Sequence, residues 1–276
     1  MNAGRKNSRR LGRGMMVVAL VTMTLVGWSQ HRWSRGEVDP RAGVPEWDRD
    51  EELPNDTFTF ARIQYDSWGG SGWRGRGKWS IDWPESDLNM SFRLQQLTAL
   101  KVDPEGTVLN LTEDKLLSTR SFISSSRASC TSALRKYLLT GGFLMVDDFW
   151  GEKEWANFAR EMKRVFPSRE IVELPIEHEI FQCVFPIEEK PQVPNPRTAV
   201  EGAPHGITWE RWDAQTPHYR GIYDDEGRLM VVICHNTDLG DGWEEESRAG
   251  QWYFKEFSEP KAYPMGINII FYSMTH

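Results

Sequence analysis

The chain has 276 residues, 39% hydrophobic and 26% charged, a composition that builds one globular body and excludes wholesale disorder. Its 33 Lys and Arg against 40 Asp and Glu give a net charge of −7, but residues 1–36 hold seven of the bases and none of the acids. The remaining 26 bases face all 40 acids, a net of −14 that repels phosphate backbones and excludes nucleic acid as a partner by the usual counterion-release route.

Arg5, Lys6, Arg9, Arg10 and Arg13 precede fourteen uncharged residues, Met15 to Trp28. That run is shorter than a spanning helix and has the length of the apolar core of an export signal, with Gly27 and Ser29 supplying small residues for cleavage after Ser29. Residues 1–29 therefore read as a signal peptide or, if uncleaved, a membrane anchor, with the body exported to the periplasm or the outer face of the cytoplasmic membrane. Residues 30–56 are polar, contain Pro40, Pro45 and Pro54, and read as a disordered linker to a single domain over residues 57–276. Three cysteines, Cys130, Cys183 and Cys234, are too few for a disulfide framework, and their small or apolar neighbours suggest buried structural thiols.

Phe58 to Tyr65 alternates apolar and polar residues, as a strand does. Asp66 to Trp79 holds five glycines and is a loop, in which Trp68, Trp73 and Trp79 alternate with Arg74, Arg76 and Lys78 as a lid over an anionic or sugar ligand would. A helix is expected over Asp87–Leu100 with Ser86 as its N-cap, then short strands at Thr107–Leu109 and Ser121–Ser125. A helix over Thr131–Thr140 stops at Gly141-Gly142, and Phe143–Val146 is a strand closed by Asp147-Asp148. Helix Lys153–Val165 and strand Ile171–Leu174 follow, then an irregular excursion with six prolines over residues 175–216. His218–Tyr223 and Arg228–His235 form a hairpin, and Pro264–Met274 is a strand or a buried helix. The alternation predicts an α/β fold with a mostly parallel sheet and helices on both faces, so ligands belong beyond the carboxyl ends of the strands.

Those ends gather the polar residues. Asp147 and Asp148 end one strand and are the candidate general-base or metal-binding pair. His178 stands four residues after Leu174, and His235, Asn236 and Asp238 close another strand. Asp147, Asp148, His178 and His235 are candidate catalytic residues, and Asp148, His178, His235 and Asp238 have the donor types of a divalent metal site, although no compact ligand motif spaces them and no cofactor is required. Arg62, Tyr65, Trp79, Asp82, Asp87, Asn236 and Asp238 are candidate ligand-binding residues. Asn236 and Asp238 also suit a simple Asx turn.

The ordered segments KWSIDWPESDLN, GGFLMVDDFWG, LPIEHEIF, HNTDLGDGWE and GINIIFYSM resemble the bacterial domain-of-unknown-function family 4159, over Phe58 to the C-terminus. The resemblance implies a three-layer sandwich of the class I glutamine amidotransferase-like, flavodoxin-like kind, a helix at Pro264–Met274, and an exported or membrane-attached setting. Amidotransferases of that fold carry a cysteine nucleophile on a tight strand-to-helix turn, whereas Val146 here runs into Asp147-Asp148-Phe149. The first functional reading is therefore a non-catalytic binding or assembly module, a partner in an envelope complex or the receptor of a small molecule. The alternatives are a metal-assisted hydrolase acting on a carbohydrate or cell-envelope substrate and a degenerate small-ligand sensor.

Overall fold

The computed structural model describes residues 18–22, 41, 44–48, 57–64, 78–110, 127–244 and 249–276. Seven strands form one sheet in the order β3-β2-β1-β4-β7-β6-β5: β1 is Val18–Thr22, β2 Phe60–Gln64, β3 Thr107–Asn110, β4 Phe143–Asp147, β5 Val172–Glu173, β6 His218–Tyr223 and β7 Leu229–His235. The first five in that order run parallel, and the β6–β7 hairpin turns the sheet antiparallel, with β5 antiparallel to β6 at the edge. The helices are α1 (Glu85–Leu97), α2 (Arg127–Leu139), α3 (Gly151–Val165), α4 (Pro196–Gly202), α5 (Leu239–Glu244), α6 (Gly250–Tyr253) and α7 (Tyr263–Thr275), the last preceded by a π-helical stretch, Phe254–Ala262.

The strands at the centre are apolar throughout because both of their faces are covered. In β4, Phe143 and Met145 join a core with Met90 and Leu94 of α1 and Ile267 and Ile270 of α7, whereas Leu144 and Val146 join a second core with Leu134 and Leu138 of α2 and Phe158 and Met162 of α3. Arg62 shares the face of Phe60, two residues before it, and so lies under α1. Helices α5 and α7 approach closely because Gly266 has no side chain: a Cβ there would meet the Trp243 ring at 2.5 Å.

Most elements fall where periodicity places them, with shifted ends. Helix α1 begins at Glu85, so Ser86 lies inside it and is no N-cap; its hydroxyl instead accepts from Arg62. Pro264 stands in the first turn of α7, where its missing N–H costs nothing, and the C-terminal segment is a helix. The proline-rich excursion contains one short α-helix, α4, with Pro196 at its start and Asn195 capping the Thr198 N–H at 2.9 Å, and two 3-10 turns, Glu179–Phe181 and Ala203–His205. Of the cysteines, Cys234 is buried in β7, but Cys183 is exposed, which corrects the expectation of a buried thiol there. The expected strand at Ser121–Ser125, the loop from Asp66 to Gly77, and Tyr65 lie outside the described residues.

The apolar run read as the core of an export signal supplies β1, paired with β2 on one side and β4 on the other. β1 thereby joins the parallel β2–β3 pair to the β4-β7-β6-β5 set. A stretch such as Val-Ala-Leu-Val-Thr suits a parallel strand with a neighbour on each side as well as it suits a signal, because neither imposes polar alternation. Among the described residues no helix is long and apolar enough to cross a membrane.

Candidate functional site: a buried carboxylate cluster

Strands β4 and β7 run in the same direction, so their last residues reach the same edge of the sheet. At that edge β4 passes into α3 through Asp147, Asp148, Phe149 and Trp150, and β7 passes into α5 through Asn236, Thr237 and Asp238. Asp148 (φ 58°) and Asn236 (φ 63°) adopt the left-handed conformation, the two non-glycine residues to do so among those described. Asparagine and aspartate tolerate it better than other side chains, and the surrounding contacts hold it: Asn236 N–H donates to the Phe149 carbonyl at 3.0 Å, its Oδ1 accepts from Gly151 N–H at 2.8 Å, and its Nδ2 donates to the Thr216 carbonyl at 2.8 Å. Asn236 is thus a latch between two loops, its side-chain oxygen and nitrogen each bonded to backbone, a structural role that stands beside the ligand-binding role expected of it.

The latch brings carboxylates together. Asp147 is fully buried, and its Oδ2 accepts from Gly240 N–H at 2.9 Å. Asp238 caps the start of α5 through a 2.8 Å bond from Asp241 N–H to its Oδ1. Seen from Gly240, a Cβ would lie 3.2 Å from Asp238 Oδ1, 3.3 Å from Asp82 Oδ2 and 3.9 Å from Asp147 Oδ2. The absence of a side chain at Gly240 leaves room for the three carboxylates that surround it. On the other flank, Asp82, Asp241 and Glu244 each bring a carboxylate oxygen within 4.8 Å of the others, and all three are buried. Asn89 of α1 donates to the Trp243 carbonyl at 2.6 Å and fixes α5 against the helix that follows Asp82.

Burial shapes their charge. It drives the Asp82 carboxyl up to about 6, with Arg62 opposing and Asp87 and Glu85 reinforcing the rise. It drives Asp147 up to about 8 against the backbone N–H donors of Gly240, Asp148 and Leu239. Asp148, Asp238 and Asp241 are raised by burial first and then by one another and Asp82. Two oxygens in the cluster, Asp82 Oδ2 and Asp147 Oδ1, are buried with no hydrogen-bond partner. Buried polar atoms are ordinarily paired, so two unpaired carboxylate oxygens at one place mark a site that calls for an electrophile. Asp148 is the less buried member, at the rim.

The buried guanidinium beside the cluster is committed elsewhere. Arg62 donates from Nε to both Asp87 oxygens, at 3.1 and 3.0 Å, from Nη2 to Asp87 Oδ1 at 2.5 Å and to Ser86 Oγ at 2.7 Å, and from Nη1 to the Trp79 carbonyl at 3.2 Å. Arg62 and Asp87, read as ligand-binding residues, are instead each other's partners. Trp79 is buried beside Trp83, its carbonyl held by Arg62, and acts as structure in the approach to Asp82.

Neither histidine joins the acids. His235 lies at the right edge, but its ring is stacked between Phe149, Trp155 and His218, with Nδ1 2.9 Å from Arg220 Nη1 and Nε2 3.2 Å from the Gly151 carbonyl. A guanidinium only donates and a carbonyl only accepts, so Nδ1 is bare, Nε2 carries the proton, and no lone pair is left for a metal. Burial, with Arg220 and His218 adding repulsion, lowers its pKa to about 4. His178 is at the opposite edge of the sheet. Its Nδ1 accepts from Ile180 N–H at 3.1 Å and its Nε2 meets Tyr223 Oη at 3.0 Å, and Tyr223 pairs with Leu229 at the start of β7. The antiparallel sense of β6 carries that contact away from the carboxyl ends, and burial lowers its pKa as well. Neither His178 nor His235 contributes to the carboxylate cluster.

The cluster is therefore built from Asp82, Asp147, Asp148 and Asp238, four of the sequence candidates, plus Asp241 and Glu244, which motif reading passed over. Their signal was present: Asp238, Asp241 and Glu244 are spaced by three in HNTDLGDGWE, the spacing that lines one side of a tightly wound start of helix. All six donors are oxygens, a hard set suited to Mg2+, Mn2+ or Ca2+ and poorly suited to zinc.

The family model described as Domain of unknown function (DUF4159) matches residues 59–274. No curated protein matches the chain.

Proposed function

Because the chain belongs to the DUF4159 family, whose function is unknown, we propose from its own geometry that the domain binds an oxygen-preferring divalent cation through Asp82, Asp241 and Glu244. The observation that carries this reading is the convergence of three buried carboxylates within 4.8 Å, one of them with an unpartnered oxygen. A divalent cation offsets the repulsion that otherwise forces protons onto these groups. Titrating Mn2+ calorimetrically into the chelator-treated full chain tests it. Saturable binding that is lost in the Asp82→Asn/Asp241→Asn variant is expected; absence of binding, or binding the variant retains, contradicts it.

Gly240 gives a second handle. The methyl group of Gly240→Ala would stand 3.2–3.3 Å from oxygens of Asp238 and Asp82, tighter than ordinary contact, and would spread the carboxylates. We expect a loss of cation affinity of about 10- to 100-fold, the range for residues that support metal ligands, with the thermal midpoint of the cation-free protein little changed. A fall in that midpoint with affinity intact would mark Gly240 as a packing residue alone.

The role this serves is a binding or assembly module whose small-molecule or protein ligand meets the cation at the sheet edge. We read the two cores on opposite faces of the sheet as the three-layer, glutamine amidotransferase-like sandwich; at the turn after β4, where such an enzyme holds its cysteine, this chain holds Asp148. Cysteine-based amide hydrolysis does not suit it, since Cys234 is buried inside β7. Metal-assisted hydrolysis of an envelope substrate is the second reading, favoured by Asp148: its position at the rim of the cluster puts a carboxylate where it could take a proton from cation-bound water. Export of the body is proposed on the basic N-terminus and the apolar run alone. A mature chain starting at Gln30 would lack β1, so the intact mass of protein recovered from the native host decides between a cleaved signal and a retained strand.

A further inference from the structure

One segment of the proline-rich excursion is fastened to the carboxyl edge of the sheet along its whole length. Gln192, buried, staples both ends of residues 208–214: its Oε1 accepts from Thr208 Oγ1 at 2.6 Å, and its Nε2 donates to the Ala214 carbonyl at 3.0 Å. The same Nε2 donates to the Asn236 carbonyl at 2.9 Å, which ties the segment to the latch at the end of β7. Between the staples, Asp213 Oδ2 accepts from Glu152 N–H at 3.1 Å, and a Cβ on Gly151 would lie 2.5 Å from Asp213 Oδ1. Arg211 Nη2 meets Glu154 Oε1 at 2.5 Å. Burial raises the Asp148 carboxyl first, and Asp238, Asp82 and Glu210 add to the rise, so Glu210 also lies near the turn between β4 and α3.

Of residues 210–213, Trp212 alone takes no part in this fastening. It is 85% exposed, the most exposed large apolar residue among those described, and Trp209 in the same segment is partly exposed. A lone ring on a loose loop is ordinary; this ring is held in water by anchors on both sides. Its surroundings limit what it receives. The N–H groups that open α3 are already taken, Trp150 by Glu154 Oε2 at 2.8 Å, Gly151 by Asn236 Oδ1 at 2.8 Å and Glu152 by Asp213, so that helix start offers no anion site. Asp148, Glu210 and Asp213 make the rim acidic, and it repels phosphate and carboxylate groups. A cationic ligand would share the edge with the divalent cation read above, which repels it in turn. A protein interface is built on a core of several apolar side chains, and Trp212 is the one exposed in this segment. The chemistry left is an uncharged ligand with a flat apolar face and hydroxyl groups at its edge.

We propose that residues 208–214 form a saccharide platform at the sheet edge, where a neutral pyranose ring lays its C–H face on Trp212 and turns hydroxyls towards Asp148. The proposal rests on the cation-bound binding module read above and names the class of its ligand. The indole supplies contact area at little entropic cost, and the Asp148 carboxyl, partly exposed at the rim, bonds hydroxyls.

Calorimetric titration of the full chain in excess Mn2+ tests this, with cellotriose, chitotriose and mannotriose as probes and trigalacturonic acid and trilysine as charged controls. At least one neutral trisaccharide is expected to bind saturably. Trp212→Ala should weaken it at least about tenfold, with Mn2+ affinity and the thermal midpoint unchanged, and Trp212→Phe, which keeps a ring, should recover part of the loss. Failure of all the neutral sugars to bind, binding that Trp212→Ala leaves intact, or tighter binding of either charged control overturns the proposal. None of these results bears on the cation, and a protein that binds a trisaccharide without taking up Mn2+ overturns the cation reading alone.

Discussion

Replacing Asp147 by asparagine stabilises the cation-free protein at pH 8, by about 2–4 kcal/mol. In the fold the Asp147 carboxyl is raised to about 8, by burial first and against three backbone donors. In the unfolded chain it ionises near 4. Between those two values the folded state holds a proton that the unfolded state has released, so this group's contribution to stability falls as pH rises from about 4 to about 8 and is level outside that window. The full separation corresponds to roughly 5–6 kcal/mol, of which relaxation around the charge returns a part. Asparagine does not ionise, its oxygen still accepts from Gly240 N–H, and it replaces the carboxylate oxygen that has no partner, Asp147 Oδ1, with an amide nitrogen. Chemical unfolding of both proteins in chelator at pH 4, 6 and 8 checks this: the gap should vanish at pH 4 and widen with pH. The difference between the two proteins is the quantity to read, because Asp82, raised to about 6, contributes a slope of its own to both. An asparagine variant that is less stable at every pH would make Asp147 a structural acceptor.

Arg62→Leu destabilises the fold by about 3–5 kcal/mol. The guanidinium is fully buried, and it satisfies Asp87, Ser86 and the Trp79 carbonyl at once. Leucine leaves Asp87, 5% exposed, as a buried charge with no cation opposite it. The double variant Arg62→Leu/Asp87→Leu removes both charges and should recover most of that loss, because the cost lies in the orphaned partner more than in the pair itself. Urea unfolding of the three variants measures both numbers. A loss below about 1 kcal/mol for Arg62→Leu would return Arg62 to the pool of residues free to hold a ligand.

The parts of the site that sequence makes legible are those fixed by strand direction. The apolar run Phe143 to Val146 can end only at the first charged pair, and the run before His235 likewise, so a mostly parallel sheet brings Asp147, Asp148 and Asp238 to one edge. The histidines mislead because ring direction is set by groups distant along the chain: Arg220 holds one nitrogen of His235 from 15 residues away and Gly151 the other from 84. His178 is displaced by topology, since β6 runs against its neighbours and places Tyr223 at the far edge. Asp241 and Glu244 go unseen because a six-residue helix offers too few turns for periodicity to reveal which face it buries. The pairing of Arg62 with Asp87 is hidden for a further reason: 25 residues and a loop separate a strand residue from the helix residue that lies on it. The apolar run at Met15 to Trp28 fits a signal and a central strand equally, and pattern alone does not choose between them.

Anomalous diffraction from a crystal of the full chain grown with Mn2+ is the most direct measurement. The account predicts a peak bounded by Asp82, Asp241 and Glu244 that disappears in Asp241→Asn crystals. A map without anomalous density there, from protein in which the three carboxylates still converge, would contradict it.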